Sequence, residues 1–189
     1  MLRLLFKLIY KLKGYSFDFD YPSEANRCVL ICAPHTSNWD FLFTIAVFTE
    51  LKIPYRFTIK DDWMKFPFGM LIRPLGGIAI NRKPKVEGEE RESHVDAMAR
   101  LFDTNSSLAL LVTPEGTRKK VKEIKTGFYY LAQKAQVPMC FGYIDYKNKV
   151  AGIKKVLDPS LSLAEVKEKM YDFFSKIEGK NNELNSFIK

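Results

Sequence analysis

Residues 27–33, RCVLICA, form an apolar run that is unbroken after Arg27 and stops at Pro34; this run constrains the fold more than any other stretch. A strand with one wet face alternates apolar and polar side chains. An unbroken run has both faces buried, the habit of a parallel sheet covered by helices on either side. Directly after it, residues 38–50 hold no Pro or Gly and are apolar nearly all round, so a buried or lipid-adjacent helix follows the strand.

Further strands are predicted at 55–59, 77–81, 107–113 and 137–144, and helices at 87–102, 127–135 and 163–177. Strands alternating with helices give an α/β fold with a mixed, largely parallel sheet flanked by helices. No repeat or linker divides the 189 residues, a length suited to one core. Cys28, Cys32 and Cys140 are odd in number and two lie in the apolar run, so they read as buried reduced thiols of a cytosolic compartment.

The N-terminal sequence, MLRLLFKLIYKLKG, spaces Arg3, Lys7 and Lys11 four apart. On a helix this makes a narrow cationic stripe beside a broad apolar face of Leu2, Leu4, Leu5, Phe6, Leu8, Ile9 and Leu12. Lys7 interrupts the apolar run, which ends by Lys13, short of the roughly 18–20 residues a bilayer span needs. The helix is expected to lie on a membrane surface or to pack on its own domain, and not to cross. Charges inside the would-be apolar region, with no small-residue cleavage site after it, argue against a signal peptide. The whole chain carries 30 Lys and Arg against 22 Asp and Glu, a net +8 that favours anionic partners. No nucleic-acid motif accompanies that charge, so nucleic acid is not expected.

His35 stands where the first buried strand gives way to its helix. Residues five apart on one helix point about 140° from each other, so His35 meets Asp40 only from the loop before the helix, folded back over its first turn. In that arrangement the carboxylate fixes the imidazole tautomer and leaves the other ring nitrogen as a general base. Thr36, Ser37 and Asn38 are each able to cap the helix, and Ser37 reads as a cap in preference to a nucleophile. A thiolate at Cys32 is disfavoured, because no neighbouring cation lowers its pKa. His94, in a charged helix with no partner motif, reads as a surface residue.

A second cluster, VTPEGTRKK, follows a strand. Gly116 lets backbone approach a ligand, Arg118 offers a planar fork for phosphate, and Glu115 can orient that fork or accept from a hydroxyl. Arg118, Lys119, Lys120, Lys122 and Lys125 face only Glu123 in charge, and Lys119, Lys120 and Lys122 are read equally as a solvated loop. Between the two clusters lies GGIAINR, a short strand ending at Arg82.

Together these segments resemble the glycerolipid acyltransferase family that contains the 1-acylglycerol-3-phosphate acyltransferases. The His-x4-Asp block stands as His35, Ser37 and Asp40; the Gly-x-Ile-x-Ile-x-Arg block as Gly76, Ile78, Ile80 and Arg82. Pro-Glu-Gly-Thr-Arg stands as Pro114 to Arg118, followed by Lys125, Thr126 and Gly127, and a Val-Pro entering a strand as Val137 and Pro138. Pro34 replaces the Asn that commonly precedes the family histidine, and the fourth block continues as MCFG without a second Pro.

The resemblance implies that a fatty acyl group moves from a thioester on coenzyme A or acyl carrier protein to a free lysophospholipid hydroxyl, most simply lysophosphatidic acid to phosphatidic acid. It implies no metal and no cofactor beyond that co-substrate. His35 is then the base and Asp40 its orienting carboxylate, while Ser37, Arg82, Glu115, Gly116, Thr117, Arg118 and Lys125 bind substrate, with Arg82 and Arg118 on the phosphate. The organisation it implies is a membrane-surface helix over 1–14, an acyltransferase domain over 15–178 and a polar tail over 179–189 that frays. The enzyme would sit peripherally, as a monotopic protein, on the cytoplasmic face of an anionic membrane. Residues 61–77, which mix Trp63, Phe66, Phe68, Met70, Leu71 and Ile72 with Lys65 and Arg73, would form an interfacial patch, an acyl-chain channel or plain core. A lyso-aminolipid acceptor, an ornithine or glycine lipid, is the alternative within this chemistry. A non-catalytic basic membrane-binding module is the alternative outside it.

Overall fold

The computed structural model describes residues 2–80 and 93–188. In β2 (Arg27–Cys32) successive side chains enter two different cores. Val29 and Ile31 pack with Leu110, Met139 and Phe141 on one face of the sheet; Cys28 and Leu30 pack with Ala109 and Cys140 on the other. Both faces are dry, which is why the run has no polar alternation. A one-residue slip in register would exchange every side chain between the two cores.

The remaining strands are β1 (Ser16–Phe17), β3 (Tyr55–Lys60), β4 (Gly77–Ile80), β5 (Leu108–Val112), β6 (Met139–Asp145) and β7 (Val150–Leu157). They form one seven-stranded sheet in the order β1-β7-β6-β2-β5-β3-β4, parallel at every junction except β6 with β7. Helices α1 (Leu2–Leu12) and α2 (Trp39–Glu50) cover one face through Tyr10, Phe43, Ala46 and Val47. On the other face lie α4 (His94–Asp103), α5 (Gly127–Ala135) and α6 (Leu163–Phe174), through Phe102, Phe128, Leu131 and Met170. A short α3 (Gly69–Ile72) precedes β4. The architecture is the α/β layer expected, a single domain with a mostly parallel sheet. Asn81 and residues 87–92, within the predicted strand and helix, lie outside the described residues.

β1 and β7 lie outside the predicted strands. β7 interrupts its apolar alternation with Gly152, Lys154 and Lys155, and Lys154 Nζ is occupied by Asp18 Oδ2 at 3.1 Å and Asp20 Oδ2 at 2.7 Å. The tail after Gly179 corrects the expectation of fraying. Phe187 is 2% exposed, with its ring 5.1 Å from Phe174 and 5.3 Å from Tyr171. Asn185 donates from Nδ2 to the carbonyls of Phe174 and Ile177, satisfying the end of α6. One buried aromatic ring outweighs the polar composition around it.

α1 also differs from the simple stripe. Leu2, Phe6 and Tyr10 face the domain, and the cations beside them turn the same way: Lys7 pairs with Glu50, Lys11 Nζ is 3.9 Å from Glu50 Oε1, and the Arg3 guanidinium lies 5.2 Å from the Tyr55 ring. The leucines of the opposite face, Leu4, Leu5, Leu8 and Leu12, are exposed, Leu12 by 77%. Among the described residues no helix is long and apolar enough to cross a membrane.

Candidate active site

Asp40 belongs to the first turn of α2, where a carboxylate is favoured by the helix dipole. Its Oδ2 accepts the backbone N–H groups of Thr36 and Ser37, both at 2.8 Å, so the chain before the helix folds back over the turn. That fold brings His35 Nδ1 to 3.1 Å from the same oxygen. With the proton on Nδ1, Nε2 is left as the acceptor. Ser37 Oγ accepts from the Trp39 N–H at 3.2 Å, a local turn one residue before the N-cap, which is Asn38 and makes no side-chain capping bond; Ser37 therefore supports the helix start without being the cap.

Two further contacts hold this loop. Glu115 Oε1 accepts from the His35 N–H at 2.9 Å, and Asn181 Nδ2 donates to the Thr36 carbonyl at 2.9 Å. Burial pushes the Glu115 carboxyl above its ordinary pKa, the His35 N–H opposes that rise, and Oε2 is buried without a hydrogen-bond partner. Glu115 therefore holds the backbone of His35, and among the described residues it is not paired with Arg118. The residue is buried, 3% exposed.

A cavity of about 510 Å³ lies beside the loop, at the carboxyl ends of β2 and β5, where open α/β sheets commonly receive ligands. His35 and Asp40 share its wall with the apolar Phe41, Ile45, Phe48, Phe57 and Leu111 and with Gly116, Thr117, Arg118 and Lys125. Gly116 has φ +63°, a backbone region that disfavours side chains, and an added Cβ would meet Lys125 Nζ at 2.7 Å. The glycine thus lets the Lys125 side chain lie across the loop. Among the described residues, no carboxylate is paired with Arg118 or Lys125. Cys32 also lines the cavity, but burial and the nearby Glu115 hold its thiol far above the thiolate range.

The structure brings together His35, Asp40, Gly116, Thr117, Arg118 and Lys125 around one cavity. Ser37 and Glu115 are behind its wall, and Arg82 lies outside the described residues. Trp63, Phe66, Phe68, Met70 and Leu71 are neither core nor channel: all are exposed, Phe66 by 83%, and none lines the cavity. Sequence reasoning missed Tyr146, whose hydroxyl donates to Asp40 Oδ1 at 2.6 Å, and Asn181. Neither sits in a motif; an aromatic in the turn after a buried strand was the only signal Tyr146 offered.

The sequence profile described as acyltransferase matches residues 19–141, more than half of the chain and inclusive of both clusters. The chain belongs to the acyltransferase family. As an acyltransferase fold it is similar to the crystal structure of the 1-acyl-sn-glycerophosphate (LPA) acyltransferase PlsC from Thermotoga maritima, with a TM-score of 0.59. That alignment has 16% identity and covers 93% of this chain and 76% of the other. Among curated protein sequences none matches the chain. The protein is an acyltransferase enzyme, and the reading as a non-catalytic module falls.

Proposed function

We propose that the protein transfers a fatty acyl group from an acyl thioester, on coenzyme A or acyl carrier protein, to the free hydroxyl of a lysophospholipid, with lysophosphatidic acid as acceptor and phosphatidic acid as product. The observation that carries this reading is the His35 Nδ1 to Asp40 Oδ2 contact of 3.1 Å on the wall of a cavity lined by apolar side chains together with Arg118 and Lys125. Full deprotonation of an aliphatic hydroxyl by imidazole before attack would be uphill by about 12 kcal/mol. His35 Nε2 therefore takes the proton as the oxygen bonds to the thioester carbonyl carbon, and the proton passes to the sulfur as the carbon–sulfur bond breaks. Arg118 and Lys125 suit the acceptor's phosphate. Arg82 is assigned to the same phosphate by its place in the sequence alone.

Pulling a long acyl chain into water costs on the order of 10 kcal/mol, at about 0.8 kcal/mol per methylene, so catalysis at the lipid surface is favoured. The outward leucines of α1 and the exposed apolar side chains at 63–71 support a peripheral, monotopic position. The inward pairing of Lys7 with Glu50 assigns that contact to apolar insertion more than to charge. Three unpaired cysteines fit the reducing, cytoplasmic face. On this reading 1–14 is the membrane element, and the catalytic domain that starts at 15 includes the packed tail, since Asn181 holds the Thr36 carbonyl and Phe187 packs on Phe174.

The test offers a labelled acyl thioester, on each carrier, to purified protein with lysophosphatidic acid, a lyso-ornithine lipid and a phosphate-free monoacylglycerol. Phosphatidic acid is the expected product. Product from the aminolipid alone would move the assignment to that class. Arg118→Lys is expected to lower kcat/KM for lysophosphatidic acid by about 10- to 150-fold and to affect the phosphate-free acceptor much less. Equal losses on both would assign Arg118 to the thioester or the fold.

A further inference from the structure

The Asp40 carboxylate is planar with two oxygens, and its contacts divide unequally between them. Oδ2 takes His35 Nδ1 and the N–H groups of Thr36 and Ser37. The carboxylate turns only about its Cβ–Cγ bond; the contacts on Oδ2 restrain that torsion from one side, and a donor on Oδ1 restrains it from the other, which narrows the swing that sets how well a lone pair meets the imidazole. Oδ1 is held by Tyr146, whose hydroxyl donates at 2.6 Å, within the range of charge-assisted O–H···O⁻ bonds. We infer that Tyr146 is a positioning residue for acyl transfer, fixing the plane of Asp40 and through it the aim of His35; the inference rests on the reading of those two residues as the catalytic pair.

Tyr146 is itself fixed from several sides. It sits in the turn between β6 and β7, where Asp145 Oδ1 accepts the N–H groups of Lys147 and Asn148 at 3.0 Å each. Its own N–H donates to the Glu178 carbonyl at 2.9 Å. Its ring stacks on Phe43 at 5.8 Å and 24°, one helical turn beyond the aspartate it holds, and meets the Tyr15 ring edge-on at 5.8 Å. These contacts belong to the ring and backbone and would survive loss of the hydroxyl. The hydroxyl has the separate task of reaching Asp40. Burial, with the Asp40 charge next, raises its pKa well above the ordinary tyrosine value, so it stays protonated and remains a donor.

The experiment is a double-mutant cycle on the full chain with lysophosphatidic acid and a labelled acyl thioester: wild type, Tyr146→Phe, Asp40→Asn and the pair, with kcat and KM measured separately and the thermal midpoint recorded for each. Tyr146→Phe is expected to lower kcat by about tenfold or more at unchanged KM. In the Asp40→Asn background it should cost less than about twofold, because the group it positions is already disabled. A wild-type kcat in folded Tyr146→Phe, or an equal loss in both backgrounds, overturns the inference. If Tyr146→Phe does not fold, 3,5-difluorotyrosine placed at 146 keeps the ring and makes the hydroxyl a stronger donor. It must then shift the His35 Nδ1–H resonance and change kcat, and no change in either overturns the inference. Full activity in His35→Ala would defeat the underlying reading; an inert Tyr146→Phe beside dead His35→Ala and Asp40→Asn variants defeats only this one.

Discussion

The loop from His35 to Asp40 and the outer surface formed by α1 and residues 63–71 deal with exposed chemistry in opposite ways. In the loop, the Asp40 carboxylate, the Thr36 carbonyl and the His35 N–H each have a partner inside the protein. On the outer surface, Leu4, Leu8, Leu12, Trp63, Phe66 and Met70 are large apolar side chains with half or more of their area uncovered. The first region is preorganised, which suits the proton transfer proposed for His35, because geometry set in advance does not have to be reached during reaction. The second region leaves large apolar surface in water, and on the proposed reading a lipid phase covers it. One chain thus carries a closed polar site and an open apolar one, and the two respond to different perturbations.

Breaking the closed region has the largest expected effect. His35→Ala and Asp40→Asn are each expected to lower kcat by about 10²- to 10⁴-fold, the usual worth of general-base catalysis, with circular dichroism unchanged. Near-wild-type turnover in either folded variant removes the pair from the mechanism. Perturbing the open region should act on bilayer substrate alone. Replacing Leu4, Leu5, Leu8 and Leu12 with Ser removes several kcal/mol of apolar transfer energy, at about 1.5–3 kcal/mol per leucine fully inserted. Activity on lysolipid in anionic vesicles is expected to fall by at least about tenfold, while activity on a soluble short-chain acceptor stays near wild type. Equal loss on both substrates would mean that the leucines serve the fold.

The closed region was the more legible of the two in the sequence, and the reason is physical. The return of His35 over the first turn follows from helical geometry and a five-residue spacing, and both are local. The continuous run 28–31 announced a sheet buried on both faces because both cores must be apolar. What escaped depends on distant pairing. β7 is recognisable only once Lys154 has Asp18 and Asp20 across from it. The packed tail depends on Phe187 finding Phe174. From its neighbours in sequence Glu115 can serve the Arg118 fork or a substrate hydroxyl, yet the partner it has is the His35 N–H, 80 residues away. On α1 the pattern gave an amphipathic helix but not its rotation. The apolar arc is wider than the surface α2 and Tyr55 can cover, so the domain takes Leu2, Phe6 and Tyr10 and leaves the leucines out.

Glu115 is the exception that sharpens the comparison, since the closed region leaves its Oε2 buried with no hydrogen bond. Burial raises its folded pKa above the value in the unfolded chain. In the pH window between those two values the native state keeps the proton and the unfolded state has lost it, so the unfolded state binds fewer protons and stability falls as pH rises. Above the folded value both states are ionised and the penalty is constant. Glu115→Gln retains an oxygen for the His35 N–H and cannot ionise. Its thermal midpoint relative to wild type is therefore expected to climb as pH is raised from the ordinary carboxylate range through the window, then to level off. This is the smallest of the effects, and it is readable by differential scanning fluorimetry across a buffer series at constant ionic strength. A difference that stays flat with pH would mean that Glu115 ionises at the same pH in both states, and that the carboxylate is as well satisfied in the folded protein as in water.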